Sequence, residues 1–138
     1  MSAEENKVLV RRWYEEVLNG PNLAVAADVV AADLVFNGQP IGRAGITQAA
    51  AWVRSIFPDL HVTVEDVVAE GDRVVTRFSA RATHRGEFMG IPPTGKAVTL
   101  RGVHVDRIRD GRIAERWETV DLLALLRELG ATIAPPRE

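Results

Sequence analysis

Residues 97–120 read AVTLRGVHVDRIRDGRIAERWETV, two runs of alternating apolar and polar residues on either side of Asp110-Gly111. A period of two is typical of β-strands, which turn successive side chains to opposite faces of a sheet. Asp-Gly favours the two-residue turn of a β-hairpin, because both residues tolerate the positive φ angles that this turn requires. The stretch therefore predicts two antiparallel strands, Ala97–Arg109 and Arg112–Val120.

The preceding segment repeats this pattern. His61–Glu70 and Arg73–Thr83 alternate in the same way and are joined by a short Gly-Asp turn. We therefore expect a run of four antiparallel strands from His61 onward.

Helices are predicted before this run and after it. Ser2 and Glu5 have the spacing of a capping box, and apolar residues follow at helical spacing as far as Leu18. The remaining predicted elements are a helix at 22–30 capped by Asn22, a short strand at 33–37, a helix at Thr47–Phe57 and a helix at 122–129. This order predicts an α+β domain whose helices lie across one face of a curved sheet.

The composition limits the possible chemistry. The chain has 138 residues, a formal net charge of −2, three histidines and no cysteine. The length fits one domain over residues 1–138, with 135–138 as a frayed tail. The lack of cysteine excludes disulfides, thiolate nucleophiles and cysteine-ligated metals. The charge balance, the charged N-terminus and the absence of a long apolar run predict a cytoplasmic protein with no nucleic-acid or membrane partner.

The simplest register of the hairpin, which follows from a two-residue turn, assigns the faces of its strands. In this register His104 lies opposite Trp117, and Leu100 lies opposite Asp121. One face then mixes aromatic, apolar and acidic residues: Leu100, Gly102, His104, Asp106, Ile108, Ile113, Glu115, Trp117, Thr119 and Asp121. This composition is typical of a pocket wall. A β-bulge anywhere in the pair would exchange the faces beyond it.

The opposite face is expected to be a subunit contact or a solvated surface. It carries four apolar residues among arginines: Val103, Val105, Ala114 and Val120.

Asp106 and Glu115 lie nearer the turn, where we expect solvated carboxylates outside the deep pocket. His61 and His84 lie near strand ends and are expected to be exposed.

Three segments resemble one known family: THRGEFMGIPPTGK at 83–96, RIRDGRIAERW at 107–117 and DLLALLRELG at 121–130. With Trp13-Tyr14 and the Phe-Pro-Asp at 57–59, they make most of the chain similar to the SnoaL-like polyketide cyclases. The resemblance implies a nuclear-transport-factor-2-like cone, in which a strongly bent sheet surrounds an apolar pocket. It also implies a homodimer through the outer sheet face.

The resemblance further implies intramolecular aldol cyclisation without metal or cofactor. The family's acid/base aspartate, just after the tryptophan of the last strand, matches Asp121. One carboxylate in an apolar cavity is able to remove a proton and return it, because burial raises its pKa toward the working pH. The alternative is that Asp121 caps the last helix, which would lower its pKa.

Other candidates share the presumed inner face or its rim. His104 is a candidate to hydrogen-bond a substrate carbonyl, or else a satisfied core residue. Tyr14 and Trp117 are candidate pocket walls, with core packing as the alternative. Arg116 stands where many relatives have histidine, which removes one acid/base candidate.

The loops add three candidates. Asn37 is a candidate polar pocket residue, with a turn before Gly38 as the alternative. Phe88 and Met89 are candidates for an apolar lip over the cavity. The leading hypothesis is a cofactor-independent cyclase, or a related isomerase or lyase, acting on a hydrophobic carbonyl compound. The alternative is a protein of the same fold that binds a hydrophobic small molecule without chemistry.

Overall fold

The computed structural model describes residues 2–136, and five strands form one curved sheet in the order β1-β5-β4-β3-β2. Their bounds are Val30–Phe36 (β1), His61–Glu70 (β2), Arg73–Thr83 (β3), Ala97–Arg109 (β4) and Arg112–Val120 (β5). The strands β2 to β5 are antiparallel neighbours, and β1 joins β5 in parallel orientation. The alternation of the sequence therefore predicted the bounds of the four antiparallel strands correctly.

The helices cover one face of this sheet. Their bounds are Ala3–Arg12 (α1), continued by a π-helical segment at Trp13–Leu18, then Ala26–Val29 (α2, preceded by a 3₁₀ turn at Leu23–Val25), Gly42–Ile56 (α3) and Leu122–Glu128 (α4). The helix α1 contacts β2 and β3, α3 contacts β1, and α4 contacts β4. Within residues 2–136, no helix is both long enough and apolar enough to cross a membrane.

The predicted starts of α1 and α4 are right, and the predicted start of α3 is wrong. The capping box at α1 is confirmed, since the Ser2 side chain accepts from the Glu5 N–H and the Glu5 side chain accepts from the Ser2 N–H. The helix α3 begins at Gly42 rather than Thr47. Its first turn is close-packed, because a Cβ at Gly45 would lie 2.6 Å from the Cβ of Ile41. Gly45 therefore belongs to the first turn of the helix, and Gly42 begins the helix with a φ of +68°.

The short elements before α3 also differ from the prediction. Asn22 caps a 3₁₀ turn through the Ala24 N–H, as an N-cap residue should, but the following helix ends at Val29. The strand β1 starts at Val30, three residues earlier than predicted, because its pairing with Ile113 of β5 already begins there.

The π-helical segment turns three large residues toward the sheet. Trp13, Tyr14 and Val17 are all buried, and the Asn19 N–H bonds the Tyr14 carbonyl at 2.9 Å in the wider π pattern. The Asn19 side chain then bonds both the N–H and the carbonyl of Val62 at 2.8 Å, which ties the end of the helix to β2. The aromatic residues at 13 and 14 are thereby fixed beneath the sheet.

A β-bulge at Ala114 overturns the predicted register of the hairpin. Ile108 pairs with Ile113, but Arg107 pairs with Glu115, so that Ala114 has no partner. Beyond the bulge the faces are exchanged. Glu118 points to the inner face opposite His104, and Trp117 lies on the outer face with 48% of its surface exposed.

The charges of the two strands explain the bulge. The simplest register would place Asp106 opposite Glu115, and like charges that face each other across strands are destabilising. The bulge instead pairs Asp106 with Arg116 at 2.7 Å and Arg107 with Glu115 at 3.4 Å. Asp106 is fully buried beside Arg116, so the expectation that its carboxylate is solvated is wrong.

Candidate active site

A cavity of about 290 Å³ lies between the π-helical segment, α3 and β5. Apolar side chains form most of its wall, including Trp13, Phe36 and Ile46. Of the described residues that line it, two are charged, Arg116 and Glu118. A depression of about 730 Å³ beside α2 and α3 is larger but more open, and its one ionisable lining residue in the described chain is Arg43. The smaller cavity is therefore the better candidate for chemistry.

A buried chain of hydrogen bonds ends at the cavity carboxylate. The Tyr14 Oη lies 2.6 Å from His104 Nδ1, and His104 Nε2 lies 2.8 Å from Glu118 Oε1. Burial raises the pKa of Tyr14 to about 12, so its hydroxyl keeps its proton and donates to Nδ1. The network thus assigns the remaining imidazole proton to Nε2, which donates it to the Glu118 carboxylate.

The ionisation of the pair follows from its surroundings. Burial, together with the nearby Arg116 charge, lowers the pKa of His104 below its ordinary value, which keeps the imidazole neutral. Burial works to raise the pKa of Glu118, but the His104 hydrogen bond and the Arg116 charge outweigh it, and the net shift is downward. Glu118 is therefore a carboxylate at neutral pH, with one-third of its side chain exposed.

The position of His104 depends on a glycine. The His104 ring stacks on Phe78 with 4.6 Å between ring centroids. A Cβ at Gly102 would lie 2.6 Å from the tip of that Phe78 ring. Gly102 therefore leaves the space that Phe78 occupies, and Phe78 supports the imidazole from below.

Arg116 forms a second buried charged group beside Glu118. Its Nε and Nη2 donate to the two carboxylate oxygens of Asp106 at 2.7 and 3.0 Å. Its guanidinium carbon lies 5.2 Å from the centre of the Trp13 ring and 5.6 Å from that of Tyr14. Burial disfavours the cation, but the Asp106 carboxylate reverses this, and the pKa of Arg116 lies above its ordinary value.

The structure separates Asp121 and Trp117 from the cavity. Asp121 is exposed, and its Oδ1 accepts from the Ala124 N–H at 3.1 Å, which is the geometry of a helix N-cap. Trp117 lies on the outer face, where its Nε1 donates to Glu115 at 2.7 Å. The predicted inner-face position of both residues is wrong, because it assumed a hairpin without the bulge at Ala114.

Tyr14 and His104 lie together as buried partners behind the cavity wall, while Asn37 has a different place. Asn37 is an exposed turn residue with φ +48°, and its side-chain oxygen accepts from the Glu118 N–H at 2.8 Å. Its N–H donates to the Arg116 carbonyl at 2.9 Å. Asn37 thus supports the backbone of the strand that carries both charged cavity residues.

The 84–96 loop does not line the cavity, but it packs against Trp52 of α3, which does. Phe88 is buried against Phe57 and Trp52, with 5.8 and 6.1 Å between ring centroids, and Trp52 lines the cavity. Met89 is 62% exposed at the tip of a tight turn. Neither Phe88 nor Met89 lines the cavity itself.

The expectation that His84 is exposed is wrong. The loop folds back so that the His84 backbone pairs with Lys96 and Gly95, and the side chain is fully buried. Its Nδ1 accepts from the Thr94 N–H at 3.1 Å. His61 is exposed, as expected.

Glu118 and Arg116 are the residues that the sequence interpretation did not place in the pocket. The signal that would have found them is charge pairing between the strands. In a bulged register Asp106 faces Arg116 and His104 faces Glu118, whereas the regular register opposes two acids.

The fold and the cavity define a class of protein: a cone-shaped α+β domain whose bent sheet and helices enclose an apolar pocket with a buried polar end. The family model of the SnoaL-like polyketide cyclases matches residues 8–129. The chain belongs to the SnoaL-like polyketide cyclase family.

Individual relatives agree with this assignment. The nogalonic acid methyl ester cyclase of Streptomyces nogalater is 31% identical over 96 residues, 68% of this chain and 71% of the relative. The aklanonic acid methyl ester cyclase DauD of Streptomyces sp. (strain C5) is 27% identical over 128 residues, 88% of this chain and 80% of the relative. The crystal structure of wild-type IdmH from Streptomyces antibioticus superposes with a TM-score of 0.82 at 34% identity, covering 91% of this chain and 99% of IdmH.

Proposed function

We propose that this protein closes a ring in a hydrophobic polyketide-type carbonyl compound by intramolecular aldol chemistry, with Glu118 as the proton-transferring group and no cofactor. One observation carries the proposal: Glu118 is the carboxylate that lines the apolar cavity, and it ends the buried Tyr14–His104 chain. The names of the similar cyclases support the reaction class and a hydrophobic ester as substrate.

The chemistry needs a base for the proton α to a carbonyl and an acid for the new alkoxide. A carboxylate does both in turn. Glu118 is ionised at neutral pH, as a base must be, although its pKa is lowered and not raised as expected for a carboxylate in an apolar cavity. The largely apolar wall strengthens its interactions by excluding water. His104 is a positioning residue in this scheme, since both of its ring nitrogens already have partners. Asp121 is left out because its carboxylate caps α4.

The test uses nogalonic and aklanonic acid methyl esters as probes. Chromatography follows the disappearance of the open-chain compound. A parallel reaction in D₂O reports deuterium at the α-carbon and thus separates enolisation from ring closure. We expect Glu118→Gln to lower kcat by about 10²–10⁴-fold with little change in ester affinity.

The matched control is Glu115→Gln, the same change on the outer face of the same strand. It is expected to leave kcat unchanged. An ester that binds but neither exchanges nor cyclises would instead support the binding-only alternative. Full activity in Glu118→Gln would remove this carboxylate from the mechanism.

We also propose that a second copy of the chain covers the outer sheet face. Four apolar residues form one row across the antiparallel strands there: Val68, Val75, Val105 and Trp117. Val68 is 63% exposed and Trp117 48%. The flanking row has a glutamate at each end, Glu70 and Glu115, and two arginines between them, Arg73 and Arg107, which suits the self-complementary surface of a twofold dimer.

Light scattering coupled to size-exclusion chromatography tests the dimer. Trp117→Lys is expected to give a folded monomer where the unchanged chain gives a dimer. Val8→Lys, at a 62% exposed position on α1, is the control that keeps the dimer. A monomeric unchanged chain would contradict this proposal.

A further inference from the structure

Arg116 lines the cavity and has one guanidinium nitrogen, Nη1, without a hydrogen-bond partner in the described chain. Its Nε and Nη2 hold the two oxygens of Asp106, whereas Nη1 makes no hydrogen bond to any residue of the described chain. Arg116 nevertheless lines the cavity beside Glu118. An unpaired guanidinium nitrogen on a residue that lines a cavity is available to an oxygen atom of a bound molecule.

The guanidinium is held firmly in place. The two bonds to Asp106 fix its plane, and the rings of Trp13 and Tyr14 lie 5.2 and 5.6 Å from its central carbon. A donor that is fixed before the substrate binds needs no reorganisation when charge develops on the substrate. A buried ion pair often stabilises a fold no more than apolar residues of the same volume do. Stability alone therefore does not explain why this pair lies beside the cavity.

The imidazole of His104, behind the cavity wall, is already engaged. His104 uses one ring nitrogen for Tyr14 and the other for Glu118, so it has no donor left for a substrate oxygen. We propose that Arg116 binds the substrate carbonyl oxygen and stabilises the enolate that forms on it. This inference rests on the proposed aldol function and names the group that makes enolisation feasible.

Glu118 carries one proton through both halves of the reaction. The Glu118 carboxylate takes the proton from the α-carbon, and the C–H electron pair becomes the enolate C=C bond while the carbonyl π electrons move to oxygen. That oxyanion accepts from Arg116 Nη1. The enolate carbon then attacks the second carbonyl of the same molecule, forming the ring C–C bond. The resulting alkoxide takes the proton back from Glu118.

The spacing of the two residues suits this division of labour. Arg116 and Glu118 are two positions apart on the same face of β5, which places them about 6.6 Å apart along the strand. A base and an oxyanion donor each act from about 3 Å. An enolisable carbonyl unit therefore fits between them.

The variants must remove the donor without leaving a buried unpaired charge. The double variant Asp106→Leu/Arg116→Met replaces the whole pair with apolar residues, a change that buried pairs often tolerate. Arg116→Lys is the second variant. It keeps the positive charge beside Asp106 but lacks the planar guanidinium, in which two nitrogens bind Asp106 and the third stays free. The control is Arg109→Met, which removes an exposed arginine paired with Asp33.

The turnover measurement follows α-deuterium exchange and ring closure with the two methyl esters. Both Arg116 variants are expected to lower kcat for exchange by about 10²–10³-fold, with a KM within a few-fold of the unchanged protein, and Arg109→Met is expected to change neither. A loss confined to KM would overturn the proposal, because it would mean that Arg116 only binds the ground state.

A binding measurement tests Arg116 even if the unchanged protein turns over neither ester, which would be a failure of the proposed function alone. The probe is 4-nitrophenol, whose phenol and phenolate forms absorb at different wavelengths. The unchanged protein is expected to favour the bound phenolate at least tenfold more than Asp106→Leu/Arg116→Met does. An equal preference in the two proteins, or no binding of phenolate by the unchanged protein, would overturn the proposal.

Discussion

The hydrogen bond between Tyr14 and His104 gives the sharpest quantitative prediction. Tyr14→Phe removes one atom, the Oη that lies 2.6 Å from His104 Nδ1, and leaves the ring between Phe78 and Arg116. Both partners are buried, so no water replaces the lost donor. The Nδ1 acceptor becomes an unsatisfied buried group.

The size of the effect follows from burial and chain length. Leaving a buried polar group unpaired costs about 1–3 kcal/mol. A chain of this length unfolds with an entropy of about 0.3 kcal/mol per kelvin, so Tm is expected to fall by roughly 3–10 °C. The pKa of His104 is expected to rise, because the tyrosine hydroxyl stabilises the neutral imidazole when it donates to Nδ1.

Calorimetry measures Tm, and NMR titration of the imidazole carbon-bound protons measures the pKa. Thr76→Val is the matched control. Thr76 pairs with His104 across the strands and is fully buried, and its hydroxyl, which lies near that of Tyr14, makes no hydrogen bond of ordinary geometry among residues 2–136. Its removal is expected to leave Tm within about 2 °C or to raise it. Equal Tm changes in the two variants would refute the assignment of the Tyr14 bond as stabilising.

Three further predictions concern the N-cap Asp121, Gly102 and the free energy of unfolding at low pH. Asp121→Ala is expected to cost about 1 kcal/mol in urea unfolding while Asp121→Asn costs little, and neither is expected to slow turnover; a turnover loss in Asp121→Asn would make this residue the catalyst instead. Gly102→Ala is expected to cost about 1–3 kcal/mol, because its Cβ would lie 2.6 Å from Phe78, and unchanged stability would show that the ring moves freely. The free energy of unfolding is expected to fall as pH drops below 6.5, since the unfolded chain takes up a proton on His104 before the folded chain does, and to fall again below 4.5 as Glu118 protonates. Urea titrations at pH 7.5, 5.5 and 4 measure this pH dependence. A free energy of unfolding that is equal at the three pH values would contradict it.

Local patterns predicted the strands well because each strand is long and apolar and polar residues alternate along most of it. The bounds of Arg73–Thr83 and Arg112–Val120 follow from residue types alone. The capping box at Ser2 is equally local, since its two bonds join residues three apart. The start of α3 was missed because glycine favours loops on average, whereas Gly42 and Gly45 both lie within this helix.

The candidate site was predicted in part. His104 was placed on the inner face correctly, because it lies on the regular strand β4, and the structure adds its contact with Tyr14 from the π-helical segment. The positions assigned to Trp117 and Asp121 were wrong, because one unpaired residue in β5 exchanges every later side chain between faces.

The sequence by itself determined the element types, the hairpin turn and the absence of thiol chemistry, all of which depend on residue identity or on neighbours a few positions apart. Only the tertiary structure decided which carboxylate faces the cavity. That choice depends on the energy of charges across two strands: Asp106 opposite Arg116 is favourable, and Asp106 opposite Glu115 is not. The bulge at Ala114 follows from this difference, and it brings Glu118 to His104 and turns Trp117 outward.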